Sequence, residues 1–262
     1  MKICAYCENR GWLFEDLKRL FGELGAVVSN EPVKDADAYI CIRSSEAQKS
    51  PKLDRTLVQI HDMKAQRLNG VGCISLVHPI QRPNLIEFSG RVVVRPIGSR
   101  EVEVGDLPEI PTIGFFCREI RQLKRSHLFA EAVNLARKSA NFSVLLVGKG
   151  LDSIAHLGRY EARPAKPKDY QRITGLAVCS VSPMIPLSAY EACAAGRSVI
   201  TTPREWPEGS EWAMVRTGDD AEELAALFVK TVQQPTLFPP EMPFSRKEWA
   251  LHQIEEAIKL CD

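Results

Sequence analysis

The chain has 262 residues, 45% apolar and 26% charged, with 34 Lys and Arg against 33 Asp and Glu, a net charge of about +1. That length admits one large or two small domains with cores of their own, and the even charge argues against a chain built mainly to coat nucleic acid. No apolar run approaches the ~20 residues that span a bilayer, and Met1–Lys2 leads straight into a strand-like stretch, so a cytoplasmic protein without a transmembrane segment is expected.

Short β-like runs alternate with amphipathic stretches along the chain, the pattern of parallel α/β sheets. Residues 2–6 (KICAY) read as the first strand. Residues 11–25 read as a helix, with Leu13, Leu17, Leu20 and Leu24 at helical spacing and Gly25 as its stop. Residues 26–29, 37–43, 56–62, 72–77 and 91–98 are further strand candidates; long crossover helices are missing between some of them, so this half looks reduced. The polar stretch 100–111, with two prolines and a glycine, reads as a linker.

A second set follows: strand 112–117, helix 126–140, strand 143–148, helix 150–158, an irregular basic stretch 159–169, helix 170–176 and strand 177–183. Helix 186–196, strand 198–203, helix 220–234 and a last amphipathic helix at 244–260 complete it. The eight cysteines are scattered, several of them inside apolar segments, as buried reduced thiols are, and the C-x-x-C of Cys4 and Cys7 has no second pair or His partner. Two successive parallel-sheet domains imply a cleft between them. Ligands of open α/β sheets bind beyond the carboxyl ends of the strands, so functional residues are sought there.

Residues 181–203 (VSPMIPLSAYEACAAGRSVITTP) run strand, Pro-rich loop, helix start and strand. Unpaired N–H groups at the helix start, those of Leu187 and Ser188 among them, together with the helix dipole suit a phosphate. Glu191 lies one turn inside, where a carboxylate can accept hydrogen bonds from ribose hydroxyls. This stretch resembles the signature of retaining GT-B glycosyltransferases, especially family 4: Pro186–Leu187, Glu191–Ala192, Gly196 and Val199–Ile200 fall on its Pro-Leu, Glu-Ala, Gly and Val-Ile. By that resemblance Glu191 holds the ribose of the donor. The sequence departs from the family at Pro183, where a Glu contacting the donor sugar usually stands.

Residues 111–133 are similar to the strand–loop–helix that opens the family's C-terminal domain, with Gly114, Arg118 and Lys124 on matching positions. A diphosphate leaving group gains negative charge as the glycosidic bond breaks, and two preorganised cations stabilise it, so no divalent metal is called for. Residues 144–150 resemble the family's strand end, with Gly148 and Gly150 bracketing the turn. The basic stretch beyond it, Arg163 included, lies where the family seats the nucleotide base. In the first half, residues 56–62 resemble a strand end that places His61 toward the donor sugar, and Gly11 corresponds weakly to a Gly-rich loop at the phosphates. Residues 90–100 resemble the approach to the domain crossing, with Gly98 matching and Ile97 in place of Asn.

The resemblance implies an α/β, GT-B-like fold: two Rossmann-like parallel-sheet domains facing a cleft, with a C-terminal helix crossing back to the first domain. The expected boundaries are 1–98 for a reduced acceptor-side domain, 99–243 for the nucleotide-sugar domain and 244–262 for the last helix. The implied activity is metal-independent, retaining transfer from a nucleoside-diphosphate sugar, a co-substrate and not a cofactor, to an unidentified hydroxyl acceptor. His61, Arg118 and Lys124 are the expected catalytic residues. Gly11, Gly114, Arg118, Lys124, Gly148, Arg163, Leu187, Ser188 and Glu191 are expected to bind the donor. Two alternatives stand beside this reading: a transferase acting on modified nucleic-acid bases, and a non-catalytic nucleotide-sugar binder or partner subunit, the latter suggested by Pro183.

Overall fold

The computed structural model describes residues 1–8, 12–61, 66–77, 79–86, 88–119, 124–181, 186–203, 215–239 and 245–261. Two compact units emerge, one of residues 1–97 with 244–262 and one of residues 98–243. In chain order the first contains β1 (Ile3–Tyr6), α1 (Trp12–Glu23), β2 (Val27–Ser29), β3 (Ala38–Cys41), β4 (Thr56–Ile60), β5 (Gln66–Arg67), β6 (Cys73–Leu76), β7 (Leu85–Ile86) and β8 (Arg91–Val94). The second contains β9 (Thr112–Glu119), α2 (Ser126–Ala136), β10 (Ser143–Lys149), β11 (Arg159–Glu161), β12 (Gly175–Val178), α3 (Leu187–Ala194), β13 (Ser198–Thr201), β14 (Val215–Thr217) and α4 (Ala221–Gln233). The last helix, α5 (Arg246–Ile258), returns to the first unit.

In the first unit six parallel strands lie in the order β2-β1-β3-β4-β6-β8, and β5 pairs with β7 apart from them. The strands β1, β3, β4 and β6 are buried at every residue, as strands covered on both faces are. Helix α1 buries Leu17, Leu20 and Phe21 and is followed by Gly25 at φ 91°, a left-handed stop that suits glycine. Helix α5 starts with a reciprocal cap between Ser245 and Glu248 and buries Trp249 completely. It packs on α1 and on β1, β3, β4 and β6. Arg246 pairs with Asp16 of α1, and Arg91 of β8 pairs with Glu256 of α5.

The second unit has the order β11-β10-β9-β12-β13-β14, again with every pair parallel. Counted within this unit the order is 3-2-1-4-5-6, the doubly wound arrangement of dinucleotide-binding folds. Helices α2 and α4 cover one face around stacked Phe115 and Phe129 (centroids 4.6 Å apart), with Phe228 edge-on at 5.8 Å. Helix α3 and a 3-10 turn at Pro167–Arg172 cover the other, where Tyr170 meets Phe116 edge-on at 5.3 Å. Truncating Phe129 on the α2–α4 face would cost about 3–5 kcal/mol. Both units are Rossmann-like parallel-sheet domains, the fold expected from the sequence.

Local structure differs from the sequence reading at several places. Residues 152–157 form a 3-10 turn and not an α-helix, because only six residues separate Leu151 from Gly158. Residues 159–161, read as irregular, form edge strand β11 on β10. The helix expected at 170–176 gives way after Arg172, where Ile173 turns extended and Gly175 opens β12; β-branched Ile173 and Thr174 favour that change. Strand β14 went unread: its three residues carry no apolar pattern of their own.

Candidate functional site

The order in which strands are added to the second sheet reverses between β9 and β12, the switch point at which open α/β sheets bind ligands. Strand β9 runs on to Glu119, past its last pairing with β12 at Phe115. Arg118 stands in that projecting end; the course of its side chain lies outside the described residues. Half-buried Lys124 directly precedes Arg125, the cap position of α2, which takes the left-handed conformation at φ 49°. That strain, of order 1–3 kcal/mol, turns the chain sharply into the helix. Burial pushes the Cys117 thiol up to about 11, and Lys124 pulls against the shift, so the ammonium charge is felt at the end of β9. Gly148, at φ 153°, lies against the same strand: a Cβ there would stand 2.0 Å from the Cys117 carbonyl oxygen. Gly114 lies inside β9, paired to Leu145 and Leu176, and its missing side chain makes room for Ile173, a packing reason for glycine.

On the other side of the switch point, α3 begins at Leu187 after Pro186, with no side-chain cap. Ala189 N–H bonds back to the Pro186 carbonyl (2.9 Å), and the half-buried Leu187 and Ser188 form the helix start. Glu191 is 2% exposed, and its carboxylate is gripped from two directions. Arg100 donates from Nε to Oε1 (2.6 Å) and from Nη2 to Oε2 (3.0 Å), a bidentate ion pair. The Tyr170 hydroxyl donates to Oε2 (2.6 Å). Burial, then the Glu191 charge, raise the Tyr170 hydroxyl well above its usual range, so it remains a donor.

Neither partner was read from the sequence as a site residue, and Arg197, which binds the Tyr170 backbone and the segment that follows Arg100, was also missed. The Arg197 side chain is fully buried, and burial lowers its affinity for the proton. It donates from Nε to the Tyr170 carbonyl (2.9 Å) and from Nη2 to the carbonyls of Gly105 (2.7 Å) and Asp106 (2.9 Å). The segment read as a linker is thereby held within the second unit. Gln171 adds a bond to the Glu103 carbonyl (3.4 Å), and Val102 packs on the core beneath α3. The one available signal was an Arg inside the small-residue stretch 192–200.

Arg163 sits in a network of opposite charges. It donates to both Asp169 oxygens (2.7 Å each) and pairs with Glu161, while Arg172 reaches Asp169 (2.9 Å) and Glu161 (2.6 Å). Burial works to raise Asp169, but Arg163 and the Lys166 N–H outweigh it and hold the carboxyl below its usual range. Arg159 pairs with Glu161 as well (2.9 Å). Glu161 and Asp169 are thus shared among Arg159, Arg163 and Arg172, and the Arg163 guanidinium is engaged within the fold.

In the first unit, His61 directly follows β4 and is half-buried between two aromatic rings, Phe14 of α1 (centroids 6.1 Å apart) and Trp249 of α5 (6.5 Å). Gly11, Pro183 and Asp62 lie outside the described residues. The sequence does hold one Asp-x-Asp, Asp35 and Asp37, just before β3. Lys2 takes up both, Nζ on Asp35 (2.6 Å) and the backbone N–H on Asp37 (2.7 Å). No group of three His, Cys, Asp or Glu among the described residues is placed to hold a metal ion, and none of the described helices is long and apolar enough to cross a membrane.

Residues 110–234, which contain Arg118, Lys124, Tyr170 and Glu191 but not Arg100, match the family described as "Glycosyl transferases group 1". Among solved structures the chain resembles sucrose-phosphate synthase from Thermosynechococcus elongatus, at a TM-score of 0.69 and 12% identity, over 100% of this chain and 96% of that one. AviGT4, a glycosyltransferase involved in avilamycin A biosynthesis, aligns at 0.63 and 12% identity over 100% and 98%. The pneumococcal O-GlcNAc transferase GtfA, solved with UDP and GlcNAc, aligns at 0.57 and 9% identity over 94% of this chain but 57% of its own. At these identities the likeness is one of fold, that of GT-B glycosyltransferases. No curated protein sequence matches the chain significantly.

Proposed function

We propose that the chain transfers a sugar from a nucleoside-diphosphate sugar to a hydroxyl acceptor, with retention of configuration and without a metal ion. One observation carries the reading: Lys124 and the Glu191 helix flank a single switch point inside the stretch that matches group 1 glycosyl transferases. Donor chemistry fits the parts. Arg118 and Lys124 supply cations for the diphosphate as it departs, and the start of α3 offers N–H groups at Leu187 and Ser188. Glu191 accepts from the ribose, which every such donor shares. In the absence of a positioned nucleophile among the residues assigned, front-face departure of the diphosphate is the economical route, and the retaining likeness at residues 181–203 supports it. His61 enters through the likeness of residues 56–62, and His61→Ala is expected to lower turnover more than nucleotide affinity.

The test is calorimetric titration with UDP, GDP, ADP and dTDP, UDP first because GtfA was solved with it. Lys124→Ala and Arg118→Ala should each weaken the best binder by about 1.5–3 kcal/mol, the scale of a charge-assisted hydrogen bond. Unchanged affinity in both variants would remove the diphosphate from this site.

A further inference from the structure

We infer that Arg100 is a positioning residue for the donor: it fixes and charge-balances the Glu191 carboxylate so that the carboxylate can receive the ribose. This rests on the proposed transferase reading, and on three observations beyond it.

The first is the pairing itself. A carboxylate 2% exposed is costly to keep charged without a cation, and Arg100 supplies one in bidentate geometry. A planar fork on both oxygens also fixes the plane of the carboxylate, which a point charge does not. Tyr170 holds Oε2 from the core side, at 2.6 Å.

The second is that Arg100 and Tyr170 are held in register by one further side chain. Arg197 binds the Tyr170 carbonyl through Nε and the Gly105 and Asp106 carbonyls through Nη2. A buried arginine spent on three backbone carbonyls locks the segment that carries Arg100 against the turn that carries Tyr170. The third observation is that Arg100 Nη2 also reaches the Ala165 carbonyl (3.4 Å). The guanidinium thereby ties the ribose carboxylate to the loop beyond Arg163, where the base is expected.

A competing idea uses the same contacts. If Arg100 only fills the ribose site, nucleotide must displace it, and removing Arg100 should tighten binding.

The experiment is a double-mutant cycle on nucleoside-diphosphate affinity, using the best binder of UDP, GDP, ADP and dTDP. Arg100→Gln, Glu191→Gln and the double variant are titrated by calorimetry, with thermal unfolding followed in parallel. Arg100→Gln is expected to weaken binding about tenfold or more, and Arg100→Lys to restore part of the loss, since it returns charge without the fork. In the Glu191→Gln background the Arg100 change should cost less than twofold, because its effect passes through the carboxylate. A general loss of structure would not produce that pattern, and Tyr170→Phe, which keeps the buried ring, should weaken binding severalfold. Tighter binding by Arg100→Gln, unchanged binding, or a full additive loss in the Glu191→Gln background each overturns the inference. If the folded wild-type chain binds none of the four nucleotides, the transferase reading itself fails, an outcome distinct from these.

Discussion

Arg163 tests whether a basic residue in the expected base-binding stretch serves the ligand or the fold. Arg163→Met keeps much of the aliphatic stem and removes the guanidinium, which makes two bonds of 2.7 Å to Asp169 and one to Glu161. Each charge-assisted bond of this kind is worth about 1.5–3 kcal/mol when sheltered. The Arg163 side chain is 30% exposed, which moves its share toward the ~0.2–1 kcal/mol of surface pairs. Asp169 also keeps Arg172 and the Lys166 N–H, so it is not abandoned in the interior, where the loss would reach ~3–5 kcal/mol. The balance is a destabilisation of about 2 kcal/mol, or a fall in Tm of roughly 4–8 °C for a domain of this size. Scanning calorimetry of the intact chain measures it, and the same samples are titrated with UDP and GDP. Structure-bearing Arg163 predicts the Tm loss with nucleotide affinity within about twofold of wild type. Unchanged Tm with a tenfold loss of affinity would refute the network argument and return Arg163 to the base site.

Gly148→Ala should fold poorly or lose more than about 3 kcal/mol, since the new Cβ would stand 2.0 Å from the Cys117 carbonyl and φ 153° suits only glycine; a stable, soluble variant on calorimetry contradicts this. If Arg118 and Lys124 meet the diphosphate, turnover of the donor survives EDTA, and activity lost in chelator and restored by Mg²⁺ or Mn²⁺ counts against them. Burial, with Arg95 second, holds His252 below its ordinary value of 6.5 against the pull of Glu256. The folded chain thus resists protonation at His252 more than the unfolded chain does, so this contribution is complete above about pH 6.5 and fades as pH falls through the lower folded value. His252→Gln should flatten the decline in Tm between about pH 7 and 5; an equally steep decline in the variant rules the assignment out.

The central strands β1, β3, β4 and β6 of the first sheet and β9, β10, β12 and β13 of the second were legible because they are apolar and bounded by turn residues, whereas the two- and three-residue strands β5, β7, β11 and β14 were not. Helix α1 was legible from its leucine spacing and Gly25. What failed to read were elements decided by neighbours. The 159–161 run is a strand because β10 offers an edge, with Gly158 packed so closely on Val144 that a Cβ would meet its carbonyl oxygen at 2.3 Å. Residues 170–176 carry helix-like spacing, yet Gly175 pairs with both β9 and β13 and the Thr174 N–H bonds to the Thr112 carbonyl, and pairing overrides the local pattern.

The site divides along the same line. Glu191 and Lys124 could be singled out because each stands at a fixed offset from a strand end, and sequence spacing encodes such offsets directly. Arg100 could not: it reaches Glu191 across 91 residues of chain, from a stretch whose prolines and polar residues read as linker. Its position depends on Arg197, whose three acceptors are backbone carbonyls, and a carbonyl leaves no mark on the sequence. Arg163 shows the converse. A run of Arg and Lys reads as an offered charge, but Glu161 and Asp169, interleaved with it, close onto the same guanidinium once residues 159–161 become a strand and residues 167–172 a turn. Charge in a loop becomes a property of the site only after the fold has decided which carboxylates share it.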